Sequence, residues 1–197
     1  RIVNFIKENE QYFYEKENFK LTVTPFIISA TSSALREFPE MNASINGDSI
    51  VYHKNINMGI AVSVDSGLMV PSIFNCDEKN FIGISRELNS IASQTRTKTI
   101  SPDSLQGSTF TISNFGVFGA TIGTPIINQP NVGILGTGTI KKQPVILEKN
   151  QTDIIAIRSI MMLSLGFDHR LIDGAGGAKF ISRIKQNLEN LNLENLI

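Results

Sequence analysis

Apolar positions change period along the chain, and the changes mark its elements. Ile2, Phe5, Ile6 and Phe13 recur at helical spacing with charges between them, which predicts a helix from residue 2 to about 17. A second helix is expected to open with Thr24 as its N-cap and Pro25 at the first helical position. It runs to about Glu37 with Phe26, Ile27, Ala30, Ala34 and Phe38 on one side. Asn46-Gly47-Asp48 reads as a turn between short strands near 43–45 and 49–54. Strands over 58–64 and 68–74 join at Asp65-Ser66-Gly67. Phe81, Ile84, Leu88, Ile91 and Thr95 then step along one helical face.

In the second half, Thr109, Thr111 and Ser113 alternate with Phe110 and Ile112, the period-two pattern of a strand over 107–113. A strand over 132–140, a charged hairpin region over 143–157 and a strand over 159–167 follow. The last helix, 175–191, presents Gly177, Ile181, Ile184, Leu188 and Leu191. Segment 114–130 fits no period. Its Phe115, Val117, Phe118, Ile122, Ile126 and Ile127 are too apolar to lie free in water, so it is expected to pack at a subunit boundary or beside a site. The order of elements is α+β, with a mixed or largely antiparallel sheet and helices against it.

Composition narrows the classes. The 197 residues suffice for one domain with a sizeable core. A formal net charge of zero argues against nucleic-acid or anionic-membrane partners held by bulk charge. Charged residues make up 18%, below the usual quarter, which favours some surface being buried against other subunits. No apolar run approaches the ~20 residues that span a bilayer, and no signal-peptide pattern opens the chain. Cys76 is the single cysteine, so an intrachain disulfide and a Cys-rich metal site are excluded and a reducing, cytoplasmic setting is expected.

The chemistry concentrates at Gly166-Phe167-Asp168-His169-Arg170-Leu171-Ile172-Asp173-Gly174, where an apolar strand gives way to a helix. His169 is one of two histidines and sits where binding and catalytic groups gather. With an ordinary pKa of about 6.5 it is suited to general-base work, or it is a hydrogen-bonded structural residue. Asp173 is either an orienting carboxylate or the N-cap of the following helix. A His–carboxylate pair at this spacing could ligate a metal only with further ligands, and no third is evident. His53 has no chemical partner nearby and reads as structural or solvent-facing.

These residues resemble a known family. Asp168-His169-Arg170-Leu171-Ile172-Asp173-Gly174 looks like the D-H-R-x-x-D-G signature of the 2-oxo acid dehydrogenase acyltransferases, the lipoamide acyltransferase cores of 2-oxo acid dehydrogenase complexes. Three further blocks agree. Residues 107–116, Gly-Ser-Thr-Phe-Thr-Ile-Ser-Asn-Phe-Gly, resemble the family's G-G-T-F-T-I-S-N-x-G. The others are 123–136, Gly-Thr-Pro-Ile-Ile-Asn-Gln-Pro continuing to Gly-Ile-Leu-Gly, and 67–71, Gly-Leu-Met-Val-Pro.

The resemblance implies a chloramphenicol-acetyltransferase-like fold, a homotrimer with its active site between two subunits, and assembly into cores of 24 or 60 chains. It implies acyl transfer between dihydrolipoamide, on a lipoyl arm, and coenzyme A as substrate, with no metal. His169 is then the general base, Ser113 the hydroxyl donor to the oxyanion of a neighbouring subunit's site, and Asp173 the third family position. On pattern alone Ser113 is not separable from Thr109 or Thr111. The partners implied are the decarboxylase and dihydrolipoamide dehydrogenase components. The setting is bacterial cytoplasm or mitochondrial matrix. Residues 1–197 correspond to the catalytic domain, with the N-terminal arm, lipoyl and subunit-binding domains outside this sequence. The 123–130 block resembles branched-chain and 2-oxoglutarate members more than most pyruvate ones. Two other readings compete. A free-standing chloramphenicol-type acetyltransferase would usually carry a second histidine where Asp168 stands. A catalytically silent core subunit is the other.

Overall fold

The computed structural model describes all residues except Ser66, Asn150, Gln151 and Asn195, and Lys149 in its backbone only. Its elements, in chain order, are helices α1 (Ile2–Glu17) and α2 (Thr24–Glu37), strands β1 (Ala43–Asn46), β2 (Ser49–Tyr52), β3 (Met58–Ile60), β4 (Val62–Val64), β5 (Gly67–Met69) and β6 (Ser72–Ile73), helix α3 (Phe81–Arg96), strands β7 (Phe110–Asn114), β8 (Gly133–Thr137), β9 (Lys141–Lys149), β10 (Thr152–Ile160) and β11 (Leu163–Phe167), and helix α4 (Gly174–Glu189).

The central sheet has the order β11-β8-β7-β3-β6. It is mixed: β3, β7 and β8 run parallel, and β6 and β11 add antiparallel edges. The alternation read over Phe110 and Ile112 points those side chains to a helix-covered face. There they meet Ile27 and Leu35 of α2, Ile84 and Ile91 of α3, and Phe180 and Ile184 of α4 in one core. Gly133 makes this packing possible, because a Cβ there would come within 2.6 Å of the Phe110 ring. A second core joins α1 to the rest through Phe13, Leu21, Phe26 and Phe81, with the Phe26 and Phe81 ring centroids 4.5 Å apart.

Several boundaries differ from those expected. Each strand expected over 58–64 and 68–74 is two, β3 and β4, then β5 and β6, because the chain leaves the central sheet to form the separate β4–β5 hairpin. Ser66, in the expected turn, lies outside the described residues. Thr24 is not the N-cap of α2. Val23 holds that position, and the Thr24 hydroxyl instead accepts from Asn114 Nδ2 at 3.3 Å. The expected strand over 107–113 begins at Phe110, since Ser108 and Thr109 are occupied by Asn131 and Asn57. His53 is structural, as expected: its Nε2 lies 3.1 Å from Ser44 Oγ, and burial lowers its pKa.

The polar face of the sheet carries Thr111, Ser113, Gly136 and Ser164, with residues 114–130 across it. Phe115 and Pro125 of that segment close on Gly136, where an added Cβ would come within 2.8 Å of the Phe115 ring. The expectation that the segment packs therefore holds for part of it. Val117, Phe118, Ile122 and Ile126 project outward, Ile126 being 91% exposed. The β9–β10 hairpin also exposes Ile146, Ile155 and Ile157. Among the described residues, no helix is long and apolar enough to cross a membrane.

Candidate active site

His169 stands on the turn between β11 and α4. The turn is tied at both ends. Asp168 N–H donates to the Val132 carbonyl at 2.8 Å, and the Asp168 carbonyl accepts from Leu171 and Ile172 N–H at 3.1 and 3.0 Å. Ile172, 2% exposed, plugs the core and leaves His169 and Arg170 facing outward.

Neither flanking carboxylate reaches the imidazole through a hydrogen bond among the described residues. Asp168 Oδ1 accepts from the Arg170 backbone N–H and from Nε at 3.0 Å, and its Oδ2 lies 2.6 Å from Arg170 Nη2. The hydrogen bond from Arg170 holds the Asp168 carboxyl below the usual carboxylate range, against the opposing effect of burial. Asp173 caps α4: its Oδ1 accepts from Gly176 N–H at 2.6 Å, and its carbonyl accepts from Gly177 N–H at 3.0 Å. The N-cap reading of Asp173 is thus the observed geometry. The side chain beside the imidazole is Phe167, with ring centroids 5.6 Å apart. That residue was missed in the sequence because it reads as an ordinary strand end.

Ser113 is half-buried near the end of β7, level with Gly136 of β8, which in turn is level with Ser164 of β11. Phe167, two residues before His169, pairs instead with Gly133 at the other end of β8. Three residues of rise and two strand spacings put the Ser113 and Phe167 backbones about 14 Å apart. The single chain therefore brings His169 and Asp173 onto one turn but leaves Ser113 at the far end of the sheet. Thr111 is fully buried and bonded to Asn131 Oδ1 at 2.6 Å, and Thr109 is bonded to the Asn57 segment. Of the hydroxyls of Thr109, Thr111 and Ser113, that of Ser113 belongs to the one residue not buried.

What the turn offers is an exposed imidazole on a rigid mount, open to a thiol or hydroxyl needing a base. Among the described residues, no group of three His, Cys, Asp or Glu could hold a metal ion. Cys76 is buried beside the β3 end, and burial pushes its thiol up to about 12, so it is inert as a nucleophile.

Comparison with known proteins bears on this arrangement. The family model of the 2-oxoacid dehydrogenases acyltransferase (catalytic domain) matches residues 1–196. The chain is 38% identical over 98% of its length to the dihydrolipoyllysine-residue acetyltransferase component of the pyruvate dehydrogenase complex of Corynebacterium glutamicum, covering 29% of that protein. It is 39% identical over 96% of its length to the lipoamide acyltransferase component of the branched-chain alpha-keto acid dehydrogenase complex of Bacillus subtilis, covering 43% of it. The chain thus spans less than half of the curated relatives it matches.

Among solved structures it is similar to a probable dihydrolipoamide acetyltransferase from Listeria monocytogenes, with a TM-score of 0.92, 38% identity, and 98% and 81% of the two chains covered. It is also similar to the dihydrolipoamide acetyltransferase of Azotobacter vinelandii, with a TM-score of 0.89, 34% identity, and 96% and 76% covered. That enzyme was investigated for the catalytic role of a serine, a histidine and an asparagine four residues after the histidine. The same values relate the chain to the cubic core of the pyruvate dehydrogenase multienzyme complex. A chloramphenicol acetyltransferase, 14% identical with a TM-score of 0.54 over 91% of this chain and 83% of its own, shares the fold.

Proposed function

The chain belongs to the 2-oxoacid dehydrogenases acyltransferase (catalytic domain) family, and from that premise we propose that it moves an acyl group between dihydrolipoamide and coenzyme A at His169. The observation that carries the proposal is an outward-facing imidazole on the β11–α4 turn, inside the family's D-H-R-x-x-D-G pattern.

The thiol of coenzyme A is a poor nucleophile until ionised, with a free pKa near 8.5. His169 takes its proton as the sulfur attacks the thioester carbonyl of acyl-dihydrolipoamide. A carbon–sulfur bond forms, and the carbonyl pair moves onto oxygen. Collapse breaks the bond to the lipoyl sulfur, and the imidazolium returns the proton to that leaving thiolate. Such a base is worth about 10²–10⁴ in rate.

The oxyanion needs a donor placed beforehand, and the Ser113 hydroxyl of a neighbouring copy fits that part. Losing one such donor costs roughly 10²–10³ in kcat. The separation of Ser113 from His169 within a chain supports a site shared between copies, as do the exposed Ile126, Ile146 and Ile155. The assembly is a homotrimer, built further into a multienzyme core with decarboxylase and dihydrolipoamide dehydrogenase partners. Asp173 stands four residues after His169, where the Azotobacter enzyme has asparagine, and acts by holding the start of α4 and hence the turn. A carboxylate hydrogen-bonded to an imidazole would instead favour the protonated ring and leave less of the free base.

The relatives include acetyl and branched-chain transferases. The test is a thioester-exchange assay with dihydrolipoamide and acetyl-, succinyl- and isobutyryl-CoA, with His169→Ala beside wild type. Exchange lost in the variant supports the reading, and the preferred acyl group names the parent complex. A folded, assembled wild type with no exchange overturns it.

A further inference from the structure

A base that takes a proton and returns it must keep its ring in one plane. The imidazole's χ2 torsion is broad when nothing holds it. His169 is exposed, and both flanking carboxylates are engaged elsewhere, Asp168 by Arg170 and Asp173 by the first turn of α4. Within one chain, the side chain that meets the imidazole is Phe167. Its ring plane is inclined 38° to the imidazole with centroids 5.6 Å apart, inside the range in which tilted aromatic rings attract.

The Phe167 ring is itself seated. It lies on α4 where Gly177 has no side chain. A Cβ at 177 would come within 2.7 Å of Phe167 Cε1 and 3.1 Å of Cδ1 and Cζ. Gly177 is buried, so the ring rests on backbone, which does not yield as a flexible side chain would. The backbone of Phe167 is fixed by pairing with Gly133.

We propose that Phe167, seated on Gly177, is a positioning residue that sets the plane of the His169 imidazole for proton transfer. This deepens the reading above and rests on His169 being the base. Misplacing a reacting group by about 1 Å costs on the order of a hundredfold, so loss of the ring is expected to lower kcat by roughly ten- to a hundredfold.

The test compares Phe167→Leu, Phe167→Tyr, Gly177→Ala and the Phe167→Leu/Gly177→Ala pair in the assembled protein, by kinetics and by crystal structures of the variants. In Phe167→Leu, kcat is expected to fall with the KM for coenzyme A little changed, and the imidazole to take a new or a second orientation. Phe167→Tyr, which keeps the ring, restores most of that loss. Gly177→Ala alone lowers kcat by displacing the ring, and the pair is no worse than Phe167→Leu alone, because the space returns. A Phe167→Leu protein with wild-type kcat, even if less heat-stable, overturns the proposal, as does an unmoved imidazole in its crystal structure. The base assignment fails separately, through a His169→Ala protein that still turns over. The imidazole orientation then still tests the positioning role.

Discussion

Ser113 and His169 occupy opposite ends of one sheet: Ser113 is level with Gly136 of β8, whereas β11 delivers His169 past Gly133. Two groups that the proposed chemistry brings together are held apart in the single chain by the strand register itself. Side-chain motion does not close a gap of that kind, so a site that uses both groups, as proposed above, needs a second copy of the chain.

Assembly should therefore depend on the apolar residues the single chain leaves in water. Ile126 is 91% exposed and Ile155 is 81% exposed. Ile126→Glu and Ile155→Glu are expected to lower the solution mass toward that of one chain. Each should change the stability of the isolated chain by no more than ~0.5 kcal/mol, as for ordinary surface substitutions. Light scattering after size exclusion measures the mass. A variant pair that keeps the wild-type mass would remove these residues from the interface.

Asp173 is a cap before it is anything else. Asp173→Ala should lower stability by about 1 kcal/mol, the usual value of an N-cap, read as a drop in Tm. Asp173→Asn should hold nearly all of it, since asparagine caps as well. An unchanged Tm in Asp173→Ala would mean that the 2.6 Å bond to Gly176 contributes nothing.

Acid should weaken the fold in two steps. Burial lowers the His53 pKa, so the folded state binds its proton less readily than the unfolded chain, whose value is about 6.5. The stability this adds is fully present above that value and fades as pH falls below it. Asp168 is likewise lowered, first by the Arg170 hydrogen bond. Its contribution is full above about pH 4 and is lost as pH falls below that. Urea titrations from pH 8 to 3 should show both limbs. His53→Gln should flatten the upper limb and Arg170→Gln the lower, and an Arg170→Gln protein with an unaltered lower limb would contradict the assignment.

Gly136 separates Ser113 from Ser164 and admits Phe115 and Pro125. Gly136→Ala would put a methyl group against the Ser164 hydroxyl and within 2.8 Å of the Phe115 ring. Overpacking of this kind costs about 1–3 kcal/mol. The strain should fall on segment 114–130, so proteolysis there should quicken before the core unfolds. Equal cleavage rates in variant and wild type would show that the segment does not rest on this glycine.

The sequence carried the elements well where one face of a helix or strand decides burial, as in α3 through Phe81, Ile84 and Ile91, or β7 through Phe110 and Ile112. The cap at Asp173 was also legible, because capping is local. What escaped was set by distant partners. Thr24 looks like an N-cap, but its hydroxyl is claimed by Asn114. The seat of Phe167 on Gly177 joins a strand end to a helix, and no local period reports it. Segment 114–130 is apolar for two reasons at once, part covering the sheet and part facing out, and composition does not separate them.

The shared site is tested most directly by mixing two dead proteins. His169→Ala and Ser113→Ala homo-oligomers should each lose thioester exchange. The two chains, unfolded together and reassembled, should recover activity, because some interfaces then pair an intact His169 with an intact Ser113. A co-assembled mixture, shown by tagged pull-down to contain both chains, that stays as inactive as its parents would contradict the account.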